Sequence, residues 1–476
     1  MNAERNVKAG HYIGVARRGC VSWRGIRYAR AARWELPTLC AAPQDDVHCD
    51  VHGPPIAQAK GAFLPMPSLV EDSLLLNIDS PAADGARRPV MVFIHGGAFL
   101  FGTGSDYDGS QFAEEGDIVV VTINYRLGVL GFGDFSALGV PNNLGLQDQI
   151  AALRWVRENI AAFGGDPDCI TVAGESAGSI SISLLMVSSA REGLFDRAIL
   201  QSGALNLIHE RDISTRLGQR HCEILGASSL DALRQVSLEQ LLDAQTRIDA
   251  EVEDGLPASP VYDGDLLPAS LSDAVRTETP SIPIIAGSNR DEVRLFATPR
   301  TRGMLPTERA KIMALVRDQH GAAFEAEIAS LYPDTKSDNF NLGSDTNFSM
   351  STRLFAERHA AAGNPSWAYR FDRAGLFLGA THAVELTYLW PMTFRQSFML
   401  RGGLLIGDRK RLAKRMRRYW INFVRSGDPG ADWPRYEGEG RAVKLFDKRD
   451  SIANDPDGAR RSAWAGRELL PARSLR

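Results

Sequence analysis

The stretch TVAGESAGSIS, residues 171–181, places one serine between two glycines at the junction of two patterns. The residues before Gly174 form a short apolar run typical of a buried strand, and the residues after Gly178 favour a helix. A strand, a sharp turn that carries Ser176 and a helix together form a nucleophile elbow. Small residues at positions 174 and 178 let the strand and the helix approach closely, and the helix N-terminus directs N–H groups at the serine. The pattern predicts that Ser176 is a nucleophile.

Strand-like and helix-like segments alternate around this elbow. Continuous apolar runs that end in turn residues are typical of strands buried on both faces. Such runs occupy residues 89–97, 117–125, 170–176, 196–203, 282–289 and 366–372. Between them, residues 143–163 place their apolar side chains on one helical stripe. The alternation predicts an α/β fold with a central, mostly parallel sheet flanked by helices.

Two long segments interrupt this alternation, at about 204–281 and 293–365. Both are longer than one crossover helix requires, and both have a largely helical pattern. We interpret them as large helical cap insertions over the carboxyl ends of the strands, where open α/β sheets bind ligands. Because no repeat or linker is evident, residues 1–476 are expected to form a single domain.

The charge balance gives no support for nucleic acid or an anionic membrane as the main partner. The chain has 54 basic and 58 acidic residues, a net charge of −4 and a pI near 6.2, so no electrostatic argument favours nucleic acid or an anionic membrane. No apolar run approaches the length of a membrane-spanning helix. The expected partner is a small molecule, and the expected state is a monomer or a weak homo-oligomer.

The basic segment 408–423 also carries an apolar stripe and is predicted to be a packed helix with a solvated basic face; membrane-surface contact or nucleic-acid binding is the alternative.

The N-terminal residues have no apolar core that would indicate a secretory signal. The five cysteines are an odd number without a CxxC pair, which argues against a disulfide framework and a structural zinc site. We therefore expect a cytoplasmic protein, with secretion of a processed form as the alternative.

A serine hydroxyl needs a base, and the base needs a carboxylate that orients it. In a fold with a nucleophile elbow the chain order is serine, acid, histidine. The candidates for the base are His320, His359 and His382. The first two lie in helical, charged surroundings and are expected at the surface. His382 lies in a glycine-containing loop after a predicted strand, which is the context the base requires.

The acid is expected to follow an earlier strand. The segment IPIIAGSNRDE offers Asp291 and Glu292, and the pattern alone does not choose between them. Asp263 and Asp265 are further candidates, but no strong strand precedes them. An oxyanion hole is the third requirement, and the glycine-rich FIHGGAF at 93–99 follows a strand and can supply backbone N–H groups.

These motifs give the chain a resemblance to the type B carboxylesterases, a family that includes cholinesterases and bacterial para-nitrobenzyl esterases. The similarity extends from about Gly25 to Pro434. The motifs occur in family order: EDSLLLNI, HGGAF, NYRLGVLGF, the run NNLGLQDQ to GESAGS, AILQSG, VYDGDLLP, GSNRDE, GATHAVEL and GDPGADWP. The resemblance implies an α/β-hydrolase fold and hydrolysis of carboxylic esters, with no cofactor and no metal.

The resemblance also assigns roles to individual residues. The family's acid falls on Glu292 and its base on His382. Its oxyanion donors fall on Gly97, Ala98 and Ala177, which is the residue after the nucleophile.

Five further residues are expected near the catalytic centre. Glu175 and Glu385 resemble acidic residues that the family carries there. Phe63, Phe99 and Leu100 are expected to contact the substrate.

The chain departs from the family at a disulfide near the mouth of the active site. The two cysteines would fall on Ile56 and Ser73, and their absence fits a reducing compartment. The loop between them is therefore expected to be a mobile lid, and its apolar side chains are Phe63, Leu64 and Met66.

The predicted function is that of a serine carboxylesterase that uses a Ser-Glu-His triad and an acyl-enzyme intermediate. An amidase or carbamate hydrolase with the same triad is the alternative. A non-enzymatic binding or adhesion homologue is disfavoured, because all three triad residues are present.

Overall fold

A thirteen-stranded sheet runs through the computed structural model, which describes residues 5–17, 19–60, 68–252, 254–299, 301–375, 378–391 and 409–467. The strands are β1 (Arg5–Ala9), β2 (Tyr12–Arg17), β3 (Cys20–Arg27), β4 (Ala29–Arg30), β5 (Thr38–Leu39), β6 (Val47–His48), β7 (Leu75–Ser80), β8 (Arg88–Ile94), β9 (Val119–Ile123), β10 (Gly165–Glu175), β11 (Arg197–Gln201), β12 (Ile284–Asn289), β13 (Ser366–Phe371), β14 (Ala442–Phe446) and β15 (Ser451–Asn454). Their order is β1-β2-β3-β7-β9-β8-β10-β11-β12-β13-β14-β15, with β6 beside β2 and with β4 and β5 paired separately.

Helices connect the strands and cover the sheet. They are α1 (Ser110–Gly116), α2 (Gly128–Phe132), α3 (Leu144–Asn159), α4 (Ala177–Val187), α5 (Arg211–Leu225), α6 (Leu230–Gln235), α7 (Leu238–Glu251), α8 (Leu271–Arg276), α9 (Arg309–Leu331), α10 (Lys336–Ser344), α11 (Met350–Ala361), α12 (Leu386–Leu389), α13 (Arg409–Ser426) and α14 (Gly458–Trp464). A π-helical turn, Asp345–Ser349, joins α10 to α11.

The central part of the sheet is parallel, from β9 through β8 and β10 to β14. Antiparallel pairs occur at β7 with β9 and at both outer ends. Every residue of β9 and β12 is buried, as continuous apolar runs predict for strands that are covered on both faces. The predicted α/β class is confirmed.

Alternate residues of a strand reach two separate cores. In β8, Val90, Val92 and Ile94 belong to a core that also contains residues of α3 and α4. Met91 and Phe93 belong to a second core, with residues of α1 and α13. The sheet is therefore held between helical layers, and the carboxyl ends of its parallel strands lie along one edge.

The two long interruptions are occupied mainly by helices. Segment 204–281 contains α5 to α8, and segment 293–365 contains α9 to α11 with the π-helical turn. The interpretation of these segments as cap insertions of a single domain stays a prediction.

The basic helix α13 packs through its apolar stripe, whose residues Leu412, Met416, Tyr419, Trp420 and Phe423 are buried. Its basic side is less exposed than the sequence predicted. Arg417 is itself buried and pairs with Glu115 at 2.8 Å, and Arg415 pairs with Asp450 at 2.9 Å. In the part of the chain that the structure describes, no helix is both long and apolar enough to span a membrane.

Candidate active site

Ser176 lies in the turn between β10 and α4. Its φ of 55° and ψ of −124° place the backbone in a region that a non-glycine residue rarely adopts. The backbone N–H of Ser176 donates to the carbonyl of Gln201 at 2.9 Å, so the neighbouring strand β11 holds the turn. The strained turn raises the hydroxyl at the end of the strand, as in a nucleophile elbow.

The glycines on either side of the serine are required by close contacts. A Cβ atom at position 178 would lie 2.0 Å from the carbonyl oxygen of Ile94. A Cβ atom at Gly174 would lie 2.7 Å from the carbonyl carbon of Gly178. Both obstacles are backbone atoms that cannot rotate away. The strand–helix packing around the serine therefore excludes any side chain at these two positions.

A buried carboxylate orients the imidazole of His382. The ring atom Nδ1 lies 2.7 Å from Oε2 of Glu292, a residue with no solvent exposure. The other carboxylate oxygen, Oε1, accepts hydrogen bonds at 2.6 Å from the Ser202 hydroxyl and from the backbone N–H of Asn289. The imidazole, the hydroxyl and the backbone N–H thus satisfy the hydrogen-bonding capacity of the buried carboxylate.

The second ring nitrogen of His382 faces another acid. Its Nε2 lies 3.1 Å from Oε1 of Glu175, but the angle does not permit a hydrogen bond, and neither atom has a hydrogen-bond partner within the described ranges. Among the described residues, no hydrogen bond links Nε2 to the hydroxyl of Ser176. The imidazole therefore has one fixed nitrogen and one that is free to exchange a proton.

The carboxyl groups of Glu175, Glu292 and Glu385 share this buried volume with the imidazole of His382, and the pKa values of Glu175, Glu385 and His382 are raised. Burial raises the pKa of Glu175 to about 8. Burial and the neighbouring Glu292 raise the pKa of Glu385 to about 7. Burial opposes the charge on His382, but the carboxylates of Glu175 and Glu292 outweigh it and raise its pKa to about 9. The site stabilises an imidazolium, which is the form of a base that has accepted a proton.

The glycine-rich loop after β8 lies against the serine. A Cβ atom at Gly96 would be 3.0 Å from the Cβ of Ser176. Gly97 and Ala98 have φ values of +117° and +54°, and the carbonyl of Gly97 accepts from the N–H groups of Leu100 and Phe101. In the described chain, the N–H groups of Gly97, Ala98 and Ala177 make no hydrogen bond. They are available as donors to a developing oxyanion.

A small apolar cavity adjoins the serine, with a free volume of about 10 Å³. Its lining residues are Ala98, Phe99, Ser176, Ala177, Ile180, Leu207, Leu256, Phe296, Met304, Leu305 and Phe348. This is about the room that one water molecule needs. A larger groove of about 880 Å³ lies elsewhere, along strands β2 to β5, and none of the predicted site residues lines it. Because Ser176 lines the small cavity and does not line the groove, the small cavity is the candidate substrate site.

Known proteins resemble this chain over almost its whole length. The sequence model of the carboxylesterase family matches residues 4–464. The chain belongs to the carboxylesterase family. It is 35% identical to the para-nitrobenzyl esterase of Bacillus subtilis (strain 168), over 95% of this chain and 96% of that protein. It is 32% identical to the phenmedipham hydrolase of Pseudarthrobacter oxydans, over 94% and 96% of the two chains. A solved PNB esterase structure matches with a TM-score of 0.86 at 33% identity, covering 97% of this chain and 99% of that one.

These matches confirm the predicted resemblance and the α/β-hydrolase fold. They also confirm the predicted enzyme class, so this carboxylesterase is a serine-dependent hydrolase of carboxylic esters.

The two acids that the pattern left open, Asp291 and Glu292, have different surroundings. Oδ2 of Asp291 accepts from the backbone N–H of Ala380 at 2.8 Å. The same carboxylate pairs with Arg290 and Arg294 at 2.9 and 3.2 Å. Asp291 therefore binds the backbone of the loop that carries the histidine, whereas Glu292 binds the imidazole itself.

The other candidate acids lie elsewhere in this carboxylesterase. Oδ2 of Asp263 accepts from the side-chain amide of Asn143 at 2.7 Å. Its Oδ1 accepts from the N–H groups of Asp265 and Leu267. Asp265 is exposed. Asp263 thus stabilises a loop that packs on the start of α3.

The prediction that His359 lies at the surface is wrong. His359 is buried in α11, where its Nδ1 lies 2.7 Å from the hydroxyl of Thr279 and its Nε2 lies 2.8 Å from the carbonyl oxygen of Ile282. Two partners from a distant loop satisfy the ring, which allows its burial. His320 is half-buried. Neither lies in the cavity beside the serine.

Two of the three residues that were predicted to contact the substrate, Phe99 and Leu100, lie within the described part of the chain. Phe99 is buried and lines the cavity beside the serine. Leu100 is half-buried and does not line it. Phe63, together with Leu64 and Met66, lies outside the described residues, so the lid stays a prediction.

Several residues of the site were not anticipated. Ser202 and Asn289 donate to the carboxylate of Glu292. Gln201 and Asn289 donate to Glu385 through their side-chain amides, at 3.1 and 2.5 Å. All three donors lie at the carboxyl ends of β11 and β12. That position is the signal that could have indicated them, because functional side chains gather at this edge of a parallel sheet.

The close packing at the elbow predicts a large effect of Gly178→Ala. The added methyl group would overlap the Ile94 carbonyl, so we expect the free energy of unfolding in urea to fall by about 1–3 kcal/mol or more. Gly85→Ala is the control, because an added Cβ there has no atom within 4 Å, and its effect should stay within about 0.5 kcal/mol. Equal stability of the two variants would contradict the packing argument.

Proposed function

We propose that Ser176, His382 and Glu292 are the nucleophile, base and acid of this carboxylesterase. The observation that carries the proposal is the 2.7 Å contact between Nδ1 of His382 and the buried carboxylate of Glu292, beside a serine in a strained strand–helix turn. The N–H groups of Gly97 and Ala98, with that of Ala177, are proposed to bind the oxyanion.

In the proposed reaction, Nε2 of His382 removes the proton from the hydroxyl of Ser176 as its oxygen attacks the ester carbonyl. The carbonyl oxygen becomes negative and receives hydrogen bonds from the three backbone donors. The imidazolium then gives its proton to the departing alcohol, leaving an acyl-serine. A water molecule attacks the acyl group by the same route and releases the acid. Glu292 fixes the tautomer of the imidazole and stabilises its cation throughout.

The first step requires Nε2 to face the serine hydroxyl rather than Glu175. Hydrogen bonds of catalytic groups are often long or poorly aligned before substrate binds. A small rotation of the imidazole about its contact with Glu292 would direct Nε2 towards Ser176. Glu175 then remains close enough to stabilise the imidazolium after proton transfer.

The triad assignment predicts a large loss of turnover in Ser176→Ala and unequal losses of activity in two acid variants. Ser176→Ala should lower kcat for p-nitrophenyl acetate by about 10⁴-fold or more, because the hydroxyl itself attacks. Glu292→Gln should cost far more activity than Asp291→Asn, because only Glu292 bonds Nδ1. Circular dichroism of the purified variants checks that they are folded. Near-normal hydrolysis by Ser176→Ala, or the reverse order of the two acid variants, would refute the assignment.

The raised pKa of His382 predicts a rate that increases with pH. The base must be neutral in the free enzyme, so kcat/KM should rise as the pH passes the folded-state pKa, which lies above the usual value of 6.5 and near 9. Glu175→Gln removes a negative charge 3.1 Å from Nε2, so the rising limb should move to lower pH. Glu210→Gln, at a half-buried acid of another region, is the control and should leave it in place. An unchanged limb in Glu175→Gln would exclude coupling between the two groups.

The small cavity supports a substrate with a short, apolar acyl group. All of its lining side chains except Ser176 are apolar, so a polar or charged acyl group would be buried without a partner. We propose that the substrates are small-molecule esters of this type. An amide or carbamate substrate is the second candidate, because the same triad serves both reactions, and the phenmedipham hydrolase is among the relatives.

A substrate panel tests this proposal. We expect kcat/KM to be at least about tenfold higher for p-nitrophenyl acetate than for p-nitrophenyl octanoate, because a long chain has to displace packed side chains. p-Nitroacetanilide, which has the same acyl group, should be hydrolysed far more slowly. A preference for the long chain would contradict the cavity argument, and a preference for the anilide would favour the amidase.

We also propose that the protein is cytoplasmic and forms a single domain, and that it is a monomer or a weak homo-oligomer. All five cysteines are free thiols, and Ile56 and Ser73 occupy the positions where a disulfide was expected from the family. In the described part of the chain, few large apolar side chains are exposed, which supports a monomer. Size-exclusion chromatography with light scattering tests the oligomeric state.

A further inference from the structure

The π-helical turn Asp345–Ser349 brings successive side chains to different parts of the molecule. All five of its residues are buried. A π-helical turn inserted between two α-helices is rare and occurs often at functional sites. Phe348 contacts the proposed catalytic base, Asn347 bonds to segments beside the cavity, and Asp345 bonds to residues on the opposite side of the turn.

Phe348 contacts the imidazole of His382 directly. The two rings are stacked, with centroids 4.3 Å apart and an interplanar angle of 29°. Phe348 has no solvent exposure and also lines the cavity beside Ser176. Phe296 packs against both rings, with its centroid 5.6 Å from that of Phe348 and 5.2 Å from that of His382. The phenyl ring therefore limits how far the imidazole can tilt about its bond to Glu292.

Asn347 joins two loops that form walls of the same cavity. Its side-chain amide donates to the carbonyls of Pro306 and Gly343 at 3.0 and 2.8 Å. Its backbone carbonyl accepts from the side-chain amide of Asn206 at 2.5 Å. Pro306 follows the lining residues 304–305, and Asn206 precedes Leu207, which is also part of the lining. The turn thus fixes the cavity walls as well as the phenyl ring.

Asp345 anchors the turn on the side away from the cavity. Its Oδ2 accepts from the hydroxyl of Tyr332 at 2.7 Å and pairs with Arg460 of α14 at 3.0 Å. The indole N–H of Trp464, also in α14, donates to the Tyr332 hydroxyl at 3.1 Å. A hydrogen-bonded anchor therefore holds the turn in one position relative to α9 and α14.

We propose that this π-helical turn is a positioning element for the reaction, with Phe348 as the residue that restricts the imidazole of His382 to a narrow range of tilt. The inference rests on the proposed role of His382 as the base. Phe348 takes no part in bond making or breaking. It acts by restricting the ring that transfers the proton, and misplacement of a reacting group by about 1 Å can cost 10²-fold in rate.

The test compares Phe348→Leu with Phe355→Leu. Phe355 is a matched control in the next helix, because it is also buried and its ring is parallel to that of His359 at 6.4 Å. Both variants lose a buried ring and should lower the melting temperature similarly. Phe348→Leu should lower kcat for p-nitrophenyl acetate by about 10- to 100-fold with little change in KM. Phe355→Leu should keep kcat within about twofold, as expected for a site outside the chemistry. Phe348→Tyr retains the ring and should restore most of kcat.

Asn347→Ala gives a second, independent measurement. It removes the two amide donor bonds but leaves the phenyl ring, so a smaller loss of kcat in the same direction is expected. An unchanged kcat in folded Phe348→Leu, or equal losses in Phe348→Leu and Phe355→Leu, would overturn the inference. The proposed function fails on a different result, namely retained hydrolysis in Ser176→Ala, so the two failures are distinguishable.

Discussion

The hydrogen bond between Glu292 and His382 is the contact on which the site depends. A carboxylate without solvent exposure is costly unless several donors satisfy it. Here the donors are the imidazole, the hydroxyl of Ser202 and the N–H of Asn289. They come from the ends of β11 and β12 and from the loop after β13. Because the parallel strands β11, β12 and β13 are adjacent and end along one edge, the fold brings these three segments together around the buried acid.

The site contains two buried carboxyl groups, those of Glu175 and Glu385, besides the proposed acid of the triad. Burial raises the pKa of each of these two carboxyl groups. With Glu292, they surround one imidazole. Their combined effect is to favour a positive charge on His382, which is the charge that the proposed base acquires when it takes the serine proton.

The sequence predicted those features that depend on neighbouring residues. Ser176 and its flanking glycines could be assigned because the strand, the turn and the helix are contiguous and the close contacts involve their own backbones. The choice between Asp291 and Glu292 could not be made from the pattern, because both follow the same strand. The short helical turn after β12 directs one carboxylate to the backbone of Ala380 and the other to the imidazole. That divergence depends on a loop some ninety residues later in the chain, which no local pattern contains.

The features that were missed or mispredicted are tertiary. His359 has a helical, charged neighbourhood, and its burial depends on partners at 279 and 282. The π-helical turn looks like an ordinary stretch of helix in the sequence, and its contacts reach His382, the loops that contain Asn206 and Pro306, and α14. The nucleophile is thus fixed by local backbone geometry, whereas the base is held by contacts from several distant segments. Changes in the long helical segments 204–281 and 293–365 should therefore act on the orientation of the imidazole and on the cavity walls before they affect the position of the serine.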